Sequence, residues 1–166
     1  MNAIFSRRSI RKYTKQDISE EIIEKIIRAG MAAPSAGNEQ PWHFIVINDR
    51  SVLNEIPKFH PYAKMLAEVD NAIVICGDLT LEKYEGFWVQ DCSAATQNML
   101  LMVHDLGLGS VWLGVYPIEE RVKALKELLG LPENIIPFSV LPIGHPAESK
   151  EPANRFSPSK VHRNRW

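Results

Sequence analysis

The segment that most constrains the fold is a long apolar stretch in the middle of the chain, GFWVQDCSAATQNMLLMVHDLGLG. Its pattern predicts a helix from about Phe87 to Leu106 that is apolar nearly all round, with small residues at positions 93–95. Such a helix must be buried, and its small residues let other helices approach closely. Gly107 is a suitable residue to end it. The chain must therefore surround one central helix with its other elements.

Two further helices are predicted on either side of this segment. DISEEIIEKIIRAGMAA has Asp17 or Ser19 as its cap and a buried stripe of isoleucines, Ile22, Ile23, Ile26 and Ile27. IEERVKALKELLG has the pattern of an exposed amphipathic helix that ends at Gly130. A short helix at the start of the chain would place Met1, Ile4 and Phe5 on one face.

Four strands are predicted, over residues 43–48, 71–78, 110–116 and the segment IIPFSVLPIG. The second is apolar enough to be buried on both faces. The prolines of the fourth favour an edge strand or a bulge. Residues 51–66 are expected to be helical at both ends and broken by Pro57 and Pro61. Helices that flank a mostly buried sheet define an α+β layer fold.

Length, charge and missing motifs exclude several functions. A chain of 166 residues is typical of a single domain, here residues 1–166, and its formal net charge of −1 is unlike that of a general nucleic-acid binder. The chain contains no phosphate-binding P-loop, no G-x-S-x-G nucleophile motif and no histidines or cysteines at metal-ligand spacing. With no signal-peptide pattern and no apolar run of membrane-spanning length, we expect a cytoplasmic protein.

The run SRRSIRKY places four cations, Arg7, Arg8, Arg11 and Lys12, in a nearly neutral chain. Arginine side chains form paired, charge-assisted hydrogen bonds with phosphate oxygens, and Ser9 adds a hydroxyl donor. The run could therefore surround a terminal phosphate. A solvated charged surface is the alternative for this motif taken alone.

The segment APSAGNEQPWHF, residues 33–44, joins a helix to a strand. Gly37 and Asn38 tolerate positive φ, so the loop can turn sharply. Its serine, asparagine and glutamine side chains would suit a flat heteroaromatic ligand, whose edges alternate donors and acceptors. A plain helix-to-strand connection is the alternative.

Taken in order, these motifs resemble those of the flavin-dependent nitroreductase family. RRSIRKY is followed about 20 residues later by AAPSAGNEQPWHF, and further on by YAKMLAEVDNAIVICGD, LGLGSVWLGVY and RFSPSKVHRNRW. The resemblance runs from Arg7 to the C-terminus. It implies a central, mostly antiparallel sheet flanked by helices, an intertwined homodimer with FMN bound at the interface, and no metal.

The resemblance also implies roles for individual residues. Arg7, Arg8, Ser9 and Arg11 match the motif that holds the phosphate and ribityl end of FMN. Arg155 matches a second phosphate-binding arginine near the C-terminus.

The second motif implies contacts with the flavin ring. Pro34, Ser35 and Asn38 match a loop that commonly reaches the flavin of the partner subunit, and Gln40 lies in the same motif. Lys64 matches a lysine near the pyrimidine edge of the ring, where a cation would stabilise reduced flavin.

Leu113 and Gly114 match the segment whose backbone faces flavin N5 and O4. Some members of the family have an acidic side chain at the position of Leu113, so this chain keeps the backbone contact and changes the side chain. Since the flavin carries the chemistry, no catalytic acid or base of the protein is expected.

The implied activity is transfer of a hydride from NADH or NADPH, through bound FMN, to a small electrophilic acceptor such as a nitroaromatic compound or a quinone. Both partners would use the same place in turn, with ping-pong kinetics. A non-catalytic FMN-binding or sensing module, and a small nucleic-acid-binding domain, are the alternatives. The tail, residues 146–166, is polar and basic but carries Phe156, Val161 and Trp166. We expect it to dock on the partner subunit rather than to be free.

Overall fold

The computed structural model describes residues 3–166. Its helices are α1 (Ala3–Ser6), α2 (Glu20–Met31), α3 (Arg50–Phe59), α4 (Trp88–Asp105) and α5 (Glu119–Leu129). Its strands are β1 (Tyr13–Thr14), β2 (Trp42–Ile47), β3 (Asn71–Asp78), β4 (Gly109–Ser110), β5 (Leu113–Gly114) and β6 (Ile135–Pro146). The predicted place of Met1 on the first helix lies outside the described residues.

The strands form one antiparallel sheet around β6. Strand β3 pairs with one edge of β6 and with β2 on its own far side, while β1, β4 and β5 pair with the other edge of β6. The mostly antiparallel sheet expected from the family resemblance is confirmed. Because β6 is long and central, it aligns the N-terminal basic run and the Leu113–Gly114 segment along the same edge.

Helices cover both faces of the sheet. Along β3, Val74 and Cys76 pack into a core with α3 and α5, whereas Ile73 and Ile75 pack into a second core with α2 and α4. Successive side chains of a strand point to opposite faces, which is why a nearly continuous apolar strand is buried on both sides. Burying one such side chain stabilises the fold by about 1.5–3 kcal/mol.

The central helix forms as predicted, since α4 spans Trp88–Asp105 and Gly107 follows it with a φ of +75°. The predicted stripe of α2 is also confirmed, with Ile23 and Ile26 buried and Ile22 and Ile27 partly buried. Ser19 precedes α2 at the N-cap position, without a side-chain hydrogen bond to the helix.

The predicted break at Pro57 is wrong. Helix α3 continues through Pro57 to Phe59, because the missing N–H falls in the last turn and interrupts little of the helix. The chain instead leaves the helix at His60, whose extended backbone is typical of a residue that precedes a proline.

For the fourth strand the prolines favoured an edge strand or a bulge, and the bulge is confirmed, since β6 is central in the sheet. Its register with β3 shifts by one residue between the pairs Ile75–Ser139 and Cys76–Pro137, which leaves Phe138 as the extra residue.

The strand predicted over residues 110–116 is interrupted. Strands β4 and β5 pair with β6 in one continuous register, which would place Val111 opposite Pro142. Since Pro142 has no N–H, the ladder is broken at this point. The two-residue strand β1 was not predicted, because a segment this short carries no periodic signal.

Candidate functional site

The basic run lies on the sheet because two glycines face each other. Gly109 of β4 and Gly144 of β6 are directly paired. A Cβ atom on Gly109 would lie 2.8 Å from Cγ2 of Ile10, and one on Gly144 would lie 2.7 Å from Cδ1 of Tyr13. Only glycines allow this close approach, so the pair determines how closely the basic run packs against the sheet.

Backbone hydrogen bonds hold the run in place. The N–H of Ile10 donates to the carbonyl oxygen of Ser110 at 2.9 Å, and the hydroxyl of Tyr13 donates to the carbonyl oxygen of Ile10 at 2.6 Å. Tyr13 is therefore a buried structural residue, and burial raises the pKa of its hydroxyl. Nε of Arg8 donates to the carbonyl oxygen of Arg7 at 2.6 Å, which leaves the other N–H groups of its guanidinium available to a ligand.

The structure brings the predicted phosphate-binding residues together around one cavity of about 320 Å³. This cavity, called the cation cavity below, is lined by Arg7, Arg8, Ser9, Arg11, Lys150 and Arg155. Arg155 is distant in sequence from the run, and its presence here is the main convergence that the resemblance implied. Lys12 does not line the cavity.

The side chains that line this cavity carry a large net positive charge. Burial, followed by the nearby charges of Arg8 and Arg155, lowers the pKa of Arg7, although an arginine remains protonated at any physiological pH. The six lining residues include no carboxylate. Among the described residues, the four arginines of this cluster form no ion pair with a carboxylate. Their charges repel one another, and an anion with several oxygens would relieve that repulsion.

Lys150 is a member of this cluster that sequence reasoning missed. Its Nζ donates to the carbonyl oxygen of Ser9 at 2.7 Å and forms an ion pair with Glu148 at 3.2 Å. The same Glu148 accepts the backbone N–H of Arg11 at 2.6 Å, which lowers the pKa of its carboxyl group. No motif marks Lys150, because it lies in the polar tail and reaches the cavity only after the chain has returned along β6.

The second motif forms a tightly turned loop after α2. Gly37, Asn38 and Gln40 all have positive φ, at 52°, 55° and 48°. The hydroxyl of Ser35 accepts the N–H of Gln40 at 3.0 Å, and the side-chain oxygen of Asn38 accepts from the amide of Gln40 at 3.1 Å. These contacts hold the amide groups in fixed positions despite the strained backbone.

This loop does not line the cation cavity. Pro34 and Ser35 border a separate cavity of about 340 Å³, together with residues of the first turns of α4. Within one chain, the two predicted halves of the FMN site therefore lie apart. This separation fits the expectation that the loop serves the partner subunit.

Leu113 and Gly114 lie in β5, where Leu113 is buried and Gly114 is partly exposed. The carbonyl oxygen of Gly114 accepts two hydrogen bonds at 2.9 Å, from Nη1 of Arg121 and from Nε2 of His60. His60 is buried, and burial lowers its pKa, so the ring is neutral with its proton on Nε2. Neither His60 nor Arg121 was singled out from the sequence, because nothing local marks them.

His60 also connects this strand to Lys64. The N–H of Ala63 donates to the carbonyl oxygen of His60 at 2.9 Å, and Lys64 begins a 3-10 turn, Lys64–Ala67. Lys64 itself is exposed. The guanidinium of Arg121 lies 5.7 Å from the ring centre of Tyr62, which is also exposed.

These features suit both ends of the FMN molecule, the phosphate and the flavin ring. The donor set of the cation cavity suits a phosphate dianion. At Gly114 an added Cβ would meet no atom within 4 Å, and the φ of this residue is not positive, so the surrounding chain does not itself require glycine. A bare backbone beside open space suits the close approach of a flat ring.

A larger cavity, of about 900 Å³, lies between α5 and residues that include Trp88, Tyr116 and Ile136. It contains none of the residues predicted for the site. Its size therefore does not make it the better candidate, because its lining has neither the clustered cations nor the exposed backbone of the site described above.

Comparison with known proteins defines the class to which this fold and site belong. The nitroreductase family profile matches residues 4–72 and 78–145. The chain belongs to the nitroreductase family.

Individual relatives agree with this assignment. An Archaeoglobus fulgidus protein, provisionally named NADH dehydrogenase/NAD(P)H nitroreductase, is 55% identical over 170 residues, which cover 100% of this chain and 98% of that protein. A Clostridium acetobutylicum structure, provisionally named NADH oxidase, is 45% identical with a TM-score of 0.95 and 99% coverage of both chains. A Desulfovibrio desulfuricans structure, provisionally named a nitroreductase and solved in complex with FMN, is 31% identical with a TM-score of 0.85, covering 99% of this chain and 95% of that chain.

Two kinds of feature are absent from residues 3–166. No helix in this part of the chain is long and apolar enough to cross a membrane. Within the same residues, no group of three or more histidine, cysteine, aspartate or glutamate side chains is arranged to hold a metal ion.

Proposed function

We infer that this chain is an FMN-dependent NAD(P)H oxidoreductase of the nitroreductase type. The observation that carries the proposal is the cavity lined by Arg7, Arg8, Ser9, Arg11, Lys150 and Arg155, which gathers five cations and one hydroxyl without a carboxylate. When bound, FMN supplies hydride transfer between NADH or NADPH and a small electrophilic acceptor, such as a nitroaromatic compound or a quinone.

The protein's own residues would bind and orient the cofactor. Arg7, Arg8, Ser9, Arg11 and Arg155 would hold the phosphate and ribityl end. Lys150 would add a sixth group, since its Nζ already lies beside the carbonyl oxygen of Ser9. Charge-assisted hydrogen bonds of this kind determine how tightly the cofactor is retained.

A second set would act on the ring. Leu113 and Gly114 would present their backbone to the reacting edge of the flavin, and His60 and Arg121 would keep that backbone rigid through the Gly114 carbonyl. Lys64 would supply positive charge at the pyrimidine edge, which favours the reduced cofactor.

The site would be completed by a second copy of the chain. Pro34, Ser35, Asn38 and Gln40 lie away from the cation cavity of their own chain, and they would reach the flavin of the partner. The chain would form a single domain, with residues 146–166 docked on that partner. Phe156 and Trp166 support this arrangement, since their side chains are 79% and 101% exposed in the isolated chain. The cytoplasm would be the place of action.

The test is spectroscopic. The purified protein, as isolated or after incubation with FMN, should show bound-flavin absorption. NADH or NADPH should bleach this absorption anaerobically, and a nitroaromatic compound or a quinone should restore it. A protein that cannot bind FMN would contradict the proposal. A protein that binds FMN but is reduced by neither nicotinamide would be a binding or sensing module instead.

A further inference from the structure

Two buried carboxyl groups meet where the loop of residues 34–40 lies against α4. Glu39 and Asp91 are only 7% and 4% exposed. Oε2 of Glu39 accepts the backbone N–H groups of Lys83 at 2.6 Å and Tyr84 at 3.3 Å. Oδ1 of Asp91 accepts the backbone N–H of Ala36 at 3.0 Å. Each carboxyl group thus uses one oxygen to hold a segment other than its own.

The second oxygen of each carboxyl group has no such hydrogen-bond donor in the described part of the chain. Oε1 of Glu39 and Oδ2 of Asp91 are buried and meet no N–H or O–H donor among the described residues. Ala36 links the two residues, since its N–H donates to Oδ1 of Asp91 and its carbonyl oxygen accepts the N–H of Glu39 at 3.0 Å. A hydrogen bond between the two carboxyl groups is also among the causes that raise the pKa of Asp91. Ionised carboxylates are acceptors only, so a hydrogen bond between them requires a proton on one of the two.

We propose that Glu39 and Asp91 share one proton, and that this carboxylic acid–carboxylate pair positions the loop of residues 34–40 against the start of α4. The pair carries a single negative charge. Glu39 and Asp91 are positioning residues, which act through Ala36 and through the strained backbone at Gly37, Asn38 and Gln40.

The groups around the pair favour its protonated form. Burial, Glu39 and Glu82 together raise the pKa of Asp91 to about 6, although the hydrogen bond from the N–H of Ala36 opposes them. Glu82 faces the pair from the neighbouring loop, and its Oε1 accepts the N–H of Trp88 at 3.4 Å.

Other titratable neighbours do not neutralise the pair. The Nζ of Lys83 donates to the carbonyl oxygen of Gly37 at 3.0 Å. Tyr84 contributes its backbone N–H, and Cys92 is a buried thiol whose pKa is raised by burial. The N-terminal end of α4 favours a negative charge on Asp91, but it supplies no side-chain cation.

The direction of the pH effect follows from the raised pKa. A carboxyl group that is more basic in the folded protein stabilises the fold at acidic pH, and this contribution is lost as the pH rises through about 6. Above that pH two buried carboxylates repel each other. The loop is therefore held most firmly in mildly acidic solution. If the loop contacts FMN as proposed above, the affinity for FMN weakens over the same range.

The first experiment compares the wild-type protein with Glu39→Gln by urea unfolding of the FMN-free chain at pH 5 and pH 7. A glutamine amide donates to the Asp91 carboxylate at either pH, so it replaces the shared proton. The unfolding equilibrium constant of the wild type should increase about tenfold more between these pH values than that of the variant. Glu85→Gln, which removes an exposed charge of the same segment, should behave like the wild type. Equal pH dependence in the wild type and Glu39→Gln would overturn the proposal.

A second experiment observes the groups directly by NMR of the FMN-free protein. The Asp91 side-chain carbon and the Ala36 amide should titrate together, well above the ordinary range of an aspartate, and in Glu39→Gln both transitions should move to lower pH. An Asp91 that titrates in the ordinary range would overturn the shared proton, and an Ala36 amide that does not follow it would overturn the positioning role. FMN binding is measured separately, because its failure at every pH would contradict the proposed function and not the pair.

Discussion

Arg121 donates a hydrogen bond from Nη1 to the carbonyl oxygen of Gly114 at 2.9 Å. Nε2 of His60 donates to the same oxygen at the same distance. Gly114 is thus held by a permanent cation and a neutral ring, at the strand proposed to face the flavin. The contact links α5 to the site, although neither residue belongs to a recognisable motif.

This relationship predicts an effect on the flavin potential. Arg121→Gln removes a positive charge beside the proposed ring position, so reduced FMN should be less stable. A tenfold loss in the equilibrium constant for reduction corresponds to a midpoint potential lower by about 30 mV for a two-electron couple. Arg121→Lys keeps the charge and should stay near the wild-type value. A redox titration that gives equal potentials for the wild type and Arg121→Gln would refute this role.

Arg7 should determine whether FMN is retained. A hydrogen bond to a charged group contributes about 1.5–3 kcal/mol. Arg7→Ala should therefore raise the dissociation constant for FMN by about tenfold to a hundredfold. Lys12→Ala is the matched control, because Lys12 lies in the same run and does not line the cavity. Fluorescence titration with FMN compares the two variants. Equal losses in both would indicate a general charge effect rather than a phosphate site.

Replacing either of two glycines of the same sheet with alanine should change the free energy of unfolding by different amounts. In Gly144→Ala the new Cβ would lie 2.7 Å from Cδ1 of Tyr13, and such overpacking typically costs about 1–3 kcal/mol. In Gly114→Ala the Cβ meets nothing within 4 Å, so the free energy of unfolding should change by less than about 0.5 kcal/mol.

The second variant should instead lose affinity for FMN, because the methyl group would occupy the space proposed for the ring. Urea unfolding and FMN titration of both variants test this contrast. If Gly144→Ala is as stable as the wild type, the packing of the basic run on the sheet has been misjudged. If Gly114→Ala binds FMN normally, the ring does not lie against this strand.

The C-terminal tail should contribute to dimer formation. Phe156 and Trp166 are almost fully exposed in the isolated chain, and burying both against a partner would stabilise the dimer by several kcal/mol, at about 1.5–3 kcal/mol for each side chain. Phe156→Ser combined with Trp166→Ser should therefore shift the protein toward monomer at low concentration, as measured by light scattering after size-exclusion chromatography. Ile118→Ser, an exposed apolar residue outside the tail, is the control. An unchanged dimer in the double variant would contradict docking of the tail.

Much of the fold could be predicted because its signals are local. The apolar pattern of α4, the isoleucine stripe of α2 and the continuous apolar run of β3 are each visible in a short stretch of sequence. The rest depends on the exact position of a residue within its element or on contacts between distant segments. Pro57 is tolerated because of its place in the last turn of α3, and β6 accommodates its prolines because a bulge and a break in the partner strand fall beside them.

The residues of the site also divide into those that a local motif marks and those that only folding brings together. Arg7 and Arg155 could be named because each lies in a motif, and the structure brings them to one cavity. Lys150, His60 and Arg121 could not be named, because each becomes part of the site only through folding. The pair of Glu39 and Asp91 is a similar case, since its chemistry depends on burial and on a contact across 52 residues of sequence.

The most direct test of the central claim is a crystal structure of the dimer with FMN, in which the position of the phosphate is measured. The account predicts that the phosphate oxygens lie within hydrogen-bonding distance of Arg7, Ser9 and Arg155, with Lys150 close by. A phosphate bound elsewhere, with this cluster exposed to solvent, would contradict the assignment of the basic run.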